Sequence, residues 1–203
     1  MGVAAESRAG WTIAGVSAGL AGSWLVGGGL RETELHGSAG FVAIAYPSIV
    51  FGLAFPVVGA LILSRLPGHR LGRLYCLCGL ASSITLASFS YAQNGLVGQP
   101  ASLPGALVAG WVSSWIWLCG FSPLLTFGVL WFPDGRMPSR RWWPVAAAVG
   151  LFVGLSVLSV ALRPGPLNHP VRDNPLGLPL PRSWFDAADS AALQPLARWS
   201  STR

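Results

Sequence analysis

Five stretches of this chain stay apolar for about 20 residues or more, and that length leaves few folds open. They run over residues 10–30, 40–63, 71–92, 106–132 and 143–162. A helix needs ~20 largely apolar residues to cross the hydrocarbon core of a bilayer, so each run is long enough to span one. The fourth is long enough to tilt or to extend beyond the core. Of 203 residues, 52% are hydrophobic and only 10% are charged, against about 25% charged in a typical soluble domain. The expected fold is therefore an all-α, multi-pass transmembrane bundle of about five spans, residues 1–163, in the cell membrane. The first run is too long for the 7–15-residue apolar region of a signal peptide and is followed by no Ala-x-Ala site, so it reads as a retained anchor. Glu6 stands where a myristoylation signal needs Ser or Thr.

The charges between the runs set an orientation. All 13 basic residues are arginine. Arg8 precedes the first run. Arg65, Arg70 and Arg73 lie between the second and third, and Arg136, Arg140 and Arg141 between the fourth and fifth. Residues 93–105, between the third and fourth runs, carry no charge. Basic residues collect on the cytoplasmic side of short loops, so the second and fourth connections and the N-terminus are expected inside. The stretch Phe132-Pro133-Asp134-Gly135-Arg136 through Arg140 and Arg141 to Trp143 then reads as a cytoplasmic turn. Pro presets φ, Asp can bond its own backbone and Gly accepts positive φ. Trp131, Trp142 and Trp143 flank the turn at the depth where indoles favour the interface.

The same rule conflicts with the tail. Residues 164–203 follow the fifth span and are expected outside, yet they are rich in Pro and Arg. No sixth apolar run follows Arg163 to bring them back. Within this tail, Phe185, Ala188, Ala192, Leu196 and Trp199 share one helical face, and Ser183 with Asp186 resembles a capping box. A short interfacial helix over 184–199 is one reading, although Pro195 interrupts it. A poorly ordered tail is the other.

Small residues at every fourth position let helix backbones approach closely in lipid. The first span carries Gly15, Gly19, Ser23 and Gly27 in this spacing, the third Gly79, Ser83 and Ala87, and the fifth Gly150 and Gly154. The ladders are read first as seams inside the bundle, with contact between two copies or with another membrane protein as the alternative. Pro47 and Pro56 each remove a backbone hydrogen bond from the second span. Such kinks act as hinges in some bundles and have no moving role in many others. In the fourth span Trp111, Trp115 and Cys119 form one stripe, with Trp117 on another face and hydroxyls from Ser113, Ser114 and Ser122. The stripe is either helix packing or the wall of an apolar ligand pocket, and it is the candidate sensing surface.

Several functions are excluded by pattern. No ionisable residue lies deep in a span, which argues against a proton- or ion-coupled transporter. Metalloprotease, nucleophile-elbow and phosphate-loop motifs are absent, and no catalytic role is expected. His36, His69 and His169 fall in separate loops on both sides of the membrane, and the cysteines lack zinc-site spacing, so neither metal nor cofactor is expected. Cys76 and Cys78 point about 200° apart on a helix and read as buried apolar residues. No basic run has the length or face of a nucleic-acid patch. The expected partners are the lipid bilayer, and a second copy or another membrane protein.

Five segments in order resemble the N-terminal membrane region of actinobacterial sensor histidine kinases: LGRLYCLCGL (71–80), SLPGALVAGWVSSWIWLCG (102–120), LWFPDGRMPSRRWWPVA (130–146), RPGPL (163–167) and NPLGLP (174–179). The resemblance covers residues 40–179. It implies that Leu-Pro-Gly leads from an outer loop into a Trp-bearing helix and that the Phe-Pro-Asp-Gly-Arg turn faces the cytoplasm. In that family a last span, a dimerisation helix with a phospho-accepting His and an ATP-binding domain follow. This sequence leaves the pattern near Leu180 and carries none of those motifs. A membrane-embedded signal-input module of a two-component type, truncated before the kinase, is therefore the expected function. A small structural or partner-binding membrane protein is the alternative.

Overall fold

The computed structural model of this chain describes residues 3–26, 39–96, 103–132, 134–137, 139–167 and 173–179. Five long helices are present: α1 (Val3–Val26), α2 (Ala39–Arg65), α3 (Arg70–Leu96), α4 (Ala106–Pro123) and α5 (Trp143–Leu162). All five, α4 with its continuation to Gly128, are long and apolar enough to cross a membrane. Among the described residues there is no strand, only an isolated bridge between Pro166 and Asp173. The chain is an all-helical, multi-pass membrane protein. The candidate helix over 184–199 lies outside the described residues.

The helices run up and down, with α3 as the hub. It packs on α1, α2 and α4, while α5 packs chiefly on α4. Burial follows: 56% of the α3 span is buried, against 11% of α5. Lipid tails are as apolar as leucine, so helices in a membrane associate through close packing and polar bonds. The hub is accordingly built from small and hydroxylated residues. Ser82 and Thr85 are buried and satisfy themselves on their own helix, donating to the carbonyls of Cys78 (3.0 Å) and Ala81 (2.9 Å).

The α2–α3 seam is the tightest contact. Pro56 is fully buried, and a side chain at Gly79 would collide with its ring. A methyl group at Gly59 would lie 2.6 Å from the Gly72 carbonyl oxygen. Because Pro56 has no N–H, the carbonyl four residues earlier, at Gly52, loses its helical donor. The buried Ser83 hydroxyl donates to that carbonyl at 3.1 Å. One neighbouring residue thus repairs the polar defect that the proline creates, as a lipid environment requires. Cys76 turns toward the same helix, its Sγ 3.7 Å from the Pro56 carbonyl oxygen. The α3–α4 seam repeats the pattern, since a methyl at Gly120 would meet Ser82 Oγ at 2.5 Å and the Cys78 carbonyl oxygen at 3.0 Å.

Two expectations are corrected. The small-residue ladder of the first span is not a seam within this chain. Gly15, Gly19 and Ser23 are exposed, and among the described residues nothing lies within 4 Å of a methyl built at Gly15 or Gly19. The packed face of α1 is instead Gly10, Ala14, Ser17, Ala21 and Trp24. Gly10 abuts Ala60, and the wholly buried Trp24 clusters with Ala21, Leu86 and Phe89. Packing shape decides this: the stripe that holds Trp24 meets its neighbours, and the ladder lies on the opposite stripe. Gly27 lies outside the described residues. The fourth run is also not one continuous α-helix. Pro123 removes the donor that would reach Cys119, and residues 124–128 continue as a π-helical turn. The Thr126 hydroxyl donates to the Ser122 carbonyl (2.7 Å) within it.

These seams make a contrast that can be measured. In a denaturation series of the purified protein in mixed micelles, Gly79→Leu is expected to cost about 1–3 kcal/mol by overpacking the Pro56 contact. Ser83→Ala is expected to cost about 0.6 kcal/mol and no more than about 1.7, the average and maximum for hydrogen bonds between membrane helices. Gly19→Leu should leave the stability of the monomer unchanged, because its Cβ position is open.

Candidate functional site

Among the described residues, two polar clusters join the helices, one at each end of the bundle. The first gathers the N-terminal turn of α1, the α2–α3 turn and the α4–α5 connection. The α2–α3 turn is Leu66-Pro67-Gly68-His69, with Gly68 at φ +80° and the His69 N–H donating to the Leu66 carbonyl (3.2 Å). Pro at the first and Gly at the second central position, with φ positive there, is the pattern of a type II turn. Glu6 reaches across from α1. Its carboxylate accepts the Gly68 N–H and forms an ion pair with Arg73 at 2.7 Å. Arg73 is 54% exposed, so the ion pair alone is worth little, roughly 0.2–1 kcal/mol. The backbone bond to Gly68 gives it direction.

The α4–α5 connection closes onto the same turn. The Gly135 N–H donates to the Trp131 carbonyl (2.7 Å), and Gly135 has φ +67°. This is the positive φ that the Asp-Gly pair was expected to need. A methyl at Gly135 would stand 2.8 Å from the His69 ring, so the turn backbone lies directly on the imidazole. Phe132, Asp134, Arg136, Arg140 and Arg141 are all exposed around this contact, and Pro133 lies outside the described residues. Seven arginines (Arg8, Arg65, Arg70, Arg73, Arg136, Arg140 and Arg141) and two carboxylates (Glu6 and Asp134) lie at this end. The three segments that the charge pattern assigns to one side of a membrane are therefore together in space.

The opposite end is organised by one carbonyl. The Ala161 oxygen, in the last turn of α5, accepts Trp111 Nε1–H (2.8 Å) from α4 and Asn174 Nδ2–H (2.9 Å) from the segment beyond α5. Asn174 also donates to the Arg163 carbonyl (2.9 Å), and its Oδ1 accepts the Leu176 N–H (3.0 Å). The Leu178 N–H donates to the Leu162 carbonyl (3.0 Å). Helix ends leave their last carbonyls without partners, and here Asn174-Pro175-Leu176-Gly177 folds back to satisfy them. Leu167 is buried against Gly110 of α4. The part of the tail over 164–167 and 173–179 thus packs onto the bundle.

The candidate sensing stripe starts at this carbonyl. The Trp111 and Trp115 rings meet edge to face with centroids 5.4 Å apart. Trp115 Nε1 is buried and has no hydrogen-bond partner among the described residues. Cys119 follows one turn further on, half-buried and free. The hydroxyls of Ser113 and Ser114 do not face a ligand, because they donate to the Gly110 and Trp111 carbonyls of their own helix.

Sequence reasoning did not find Glu6, His69 or Asn174 as connecting residues. A lone acid near a helix start and a lone histidine in a turn carry no motif. Asn174 stands out in the sequence only within the resemblance, although an Asn-Pro-x-Gly run just after a helix is itself a turn signal. No protein-family model, no curated protein and no solved structure matches this chain.

Two substitutions test the two clusters. Gly135→Val is expected to displace His69, and the imidazole should then react faster with diethyl pyrocarbonate in the folded protein. Asn174→Ala is expected to speed amide exchange at Leu176 and Leu178 by roughly tenfold, the loss of about one hydrogen bond's worth of protection.

Proposed function

We propose that this chain is a membrane-embedded sensory module similar to the input region of sensor histidine kinases, lying in the cell membrane with its basic end toward the cytoplasm. In this reading it has no catalytic chemistry of its own. The observation that carries it is that α4 links both polar clusters. Its Trp111 bonds the Ala161 carbonyl at the end of α5, which Asn174 of the returning tail also bonds, and its far end leads into the Gly135 turn on His69. A ligand that parts Trp111 from Trp115, or competes for the Ala161 carbonyl, would pull on α4 and α5 together. The Pro123 π turn between the two clusters is a place where α4 can take up a change in winding. The buried, unpartnered Trp115 Nε1 is a donor that a ligand carbonyl or ether could satisfy.

The test is a fusion of this membrane region to the output core of a sensor kinase, reconstituted in vesicles. Trp111→Ala with Trp115→Ala is expected to change basal output or abolish the response to stimulus. Unchanged signalling by a properly folded double variant would remove the stripe from the mechanism.

A second reading rests on a separate observation. The Gly15, Gly19 and Ser23 face of α1 is open, so this helix can take a close-packed partner. In that case the chain is a partner-binding membrane protein or a homodimer. Gly19→Leu would then abolish co-purification of a specific partner or dissociate a dimer while leaving the monomer folded.

A further inference from the structure

At the basic end, Arg140, Arg141, Trp143 and Pro144 line a cleft of about 530 Å³. We propose that this cleft holds the phosphate headgroup of an anionic phospholipid. Among the described residues its lining includes two arginines and no acidic residue. Among the described residues the ion pair is Arg73 with Glu6, and neither Arg140 nor Arg141 has an acidic partner. Guanidinium groups bind phosphate oxygens through paired, charge-assisted N–H bonds, so two unpaired arginines on one cleft are complementary to a phosphodiester.

The surroundings choose a lipid over a free anion. The cleft opens where α5 begins, and α5 is the least covered helix of the bundle. Below the arginines its surface is apolar and exposed: Trp143 is 64% exposed, Leu151 64%, Phe152 63% and Leu155 57%. Acyl chains can lie along this face while the headgroup sits in the cleft. Trp142 and Trp143 stand at the junction, where indoles favour the boundary between headgroup and hydrocarbon. A free phosphate would use the arginines alone and gain nothing from the apolar wall. Basic pockets beside transmembrane helices are a recurrent form of lipid headgroup site.

The full chain, reconstituted in phosphatidylcholine vesicles, provides the test. Quenching of its tryptophan fluorescence by dibrominated phosphatidylglycerol is compared with quenching by dibrominated phosphatidylcholine. The wild type should prefer the anionic lipid, by roughly fivefold for each engaged arginine. The R140Q/R141Q variant should lose that preference, and R140K/R141K should keep most of it. R65Q/R70Q removes two exposed arginines at the same end but outside the cleft, and should keep it too. If R65Q/R70Q loses as much as R140Q/R141Q, the attraction belongs to the whole basic end and the site is wrong. If millimolar inorganic phosphate abolishes the wild-type preference, the cleft is a site for free phosphate and the lipid assignment is wrong.

Discussion

The contact on which the bundle depends is the one between Pro56 and Gly79. A proline inside a membrane helix frees a carbonyl and presents a bulky ring, and lipid can answer neither. Here the ring is received where α3 has only hydrogen, and the freed Gly52 carbonyl is received by Ser83, one turn further along α3. Steric fit and polar repair come from one helix face. That face places α3 at the centre, because the same helix meets α4 through Ser82 and Gly120. The order of the other helices follows from which stripes of small residues remain to be covered.

The two ends of the bundle are held by different chemistry. At one end, a carboxylate and a glycine backbone tie α1 and the α4–α5 turn to the α2–α3 turn. At the other, a single α5 carbonyl is shared by a tryptophan and an asparagine. Both clusters satisfy backbone groups that a chain crossing a membrane must otherwise leave to water. Both also reach α4, which is irregular between them at Pro123. A helix pinned at each end and altered in winding midway is suited to pass a displacement along its length, and the proposed sensory role rests on that arrangement.

The candidate residues divide by the kind of information they needed. Trp111, Trp115 and Cys119 were legible as a stripe because helical spacing alone aligns them. Gly135 was legible because Asp-Gly demands a turn. What lay beyond reach was the other half of each contact. The His69 ring under Gly135 and the Ala161 carbonyl at Trp111 are 66 and 50 positions away in the chain. The small-residue ladder of α1 was the reverse case. Its spacing is plain in the sequence, but spacing cannot say which side of a helix the rest of the protein occupies.

The number of spans, their approximate limits and the three segments that share an end can all be read from the residues, because bilayer thickness and the cost of burying charge act on each segment locally. Which face of each helix is inside emerges only from how the helices pack. Membrane helices are apolar all round, so no periodic stripe of hydrophobicity marks the packed side. Only the meeting of particular shapes, a proline ring against a glycine and a hydroxyl against a freed carbonyl, chooses it.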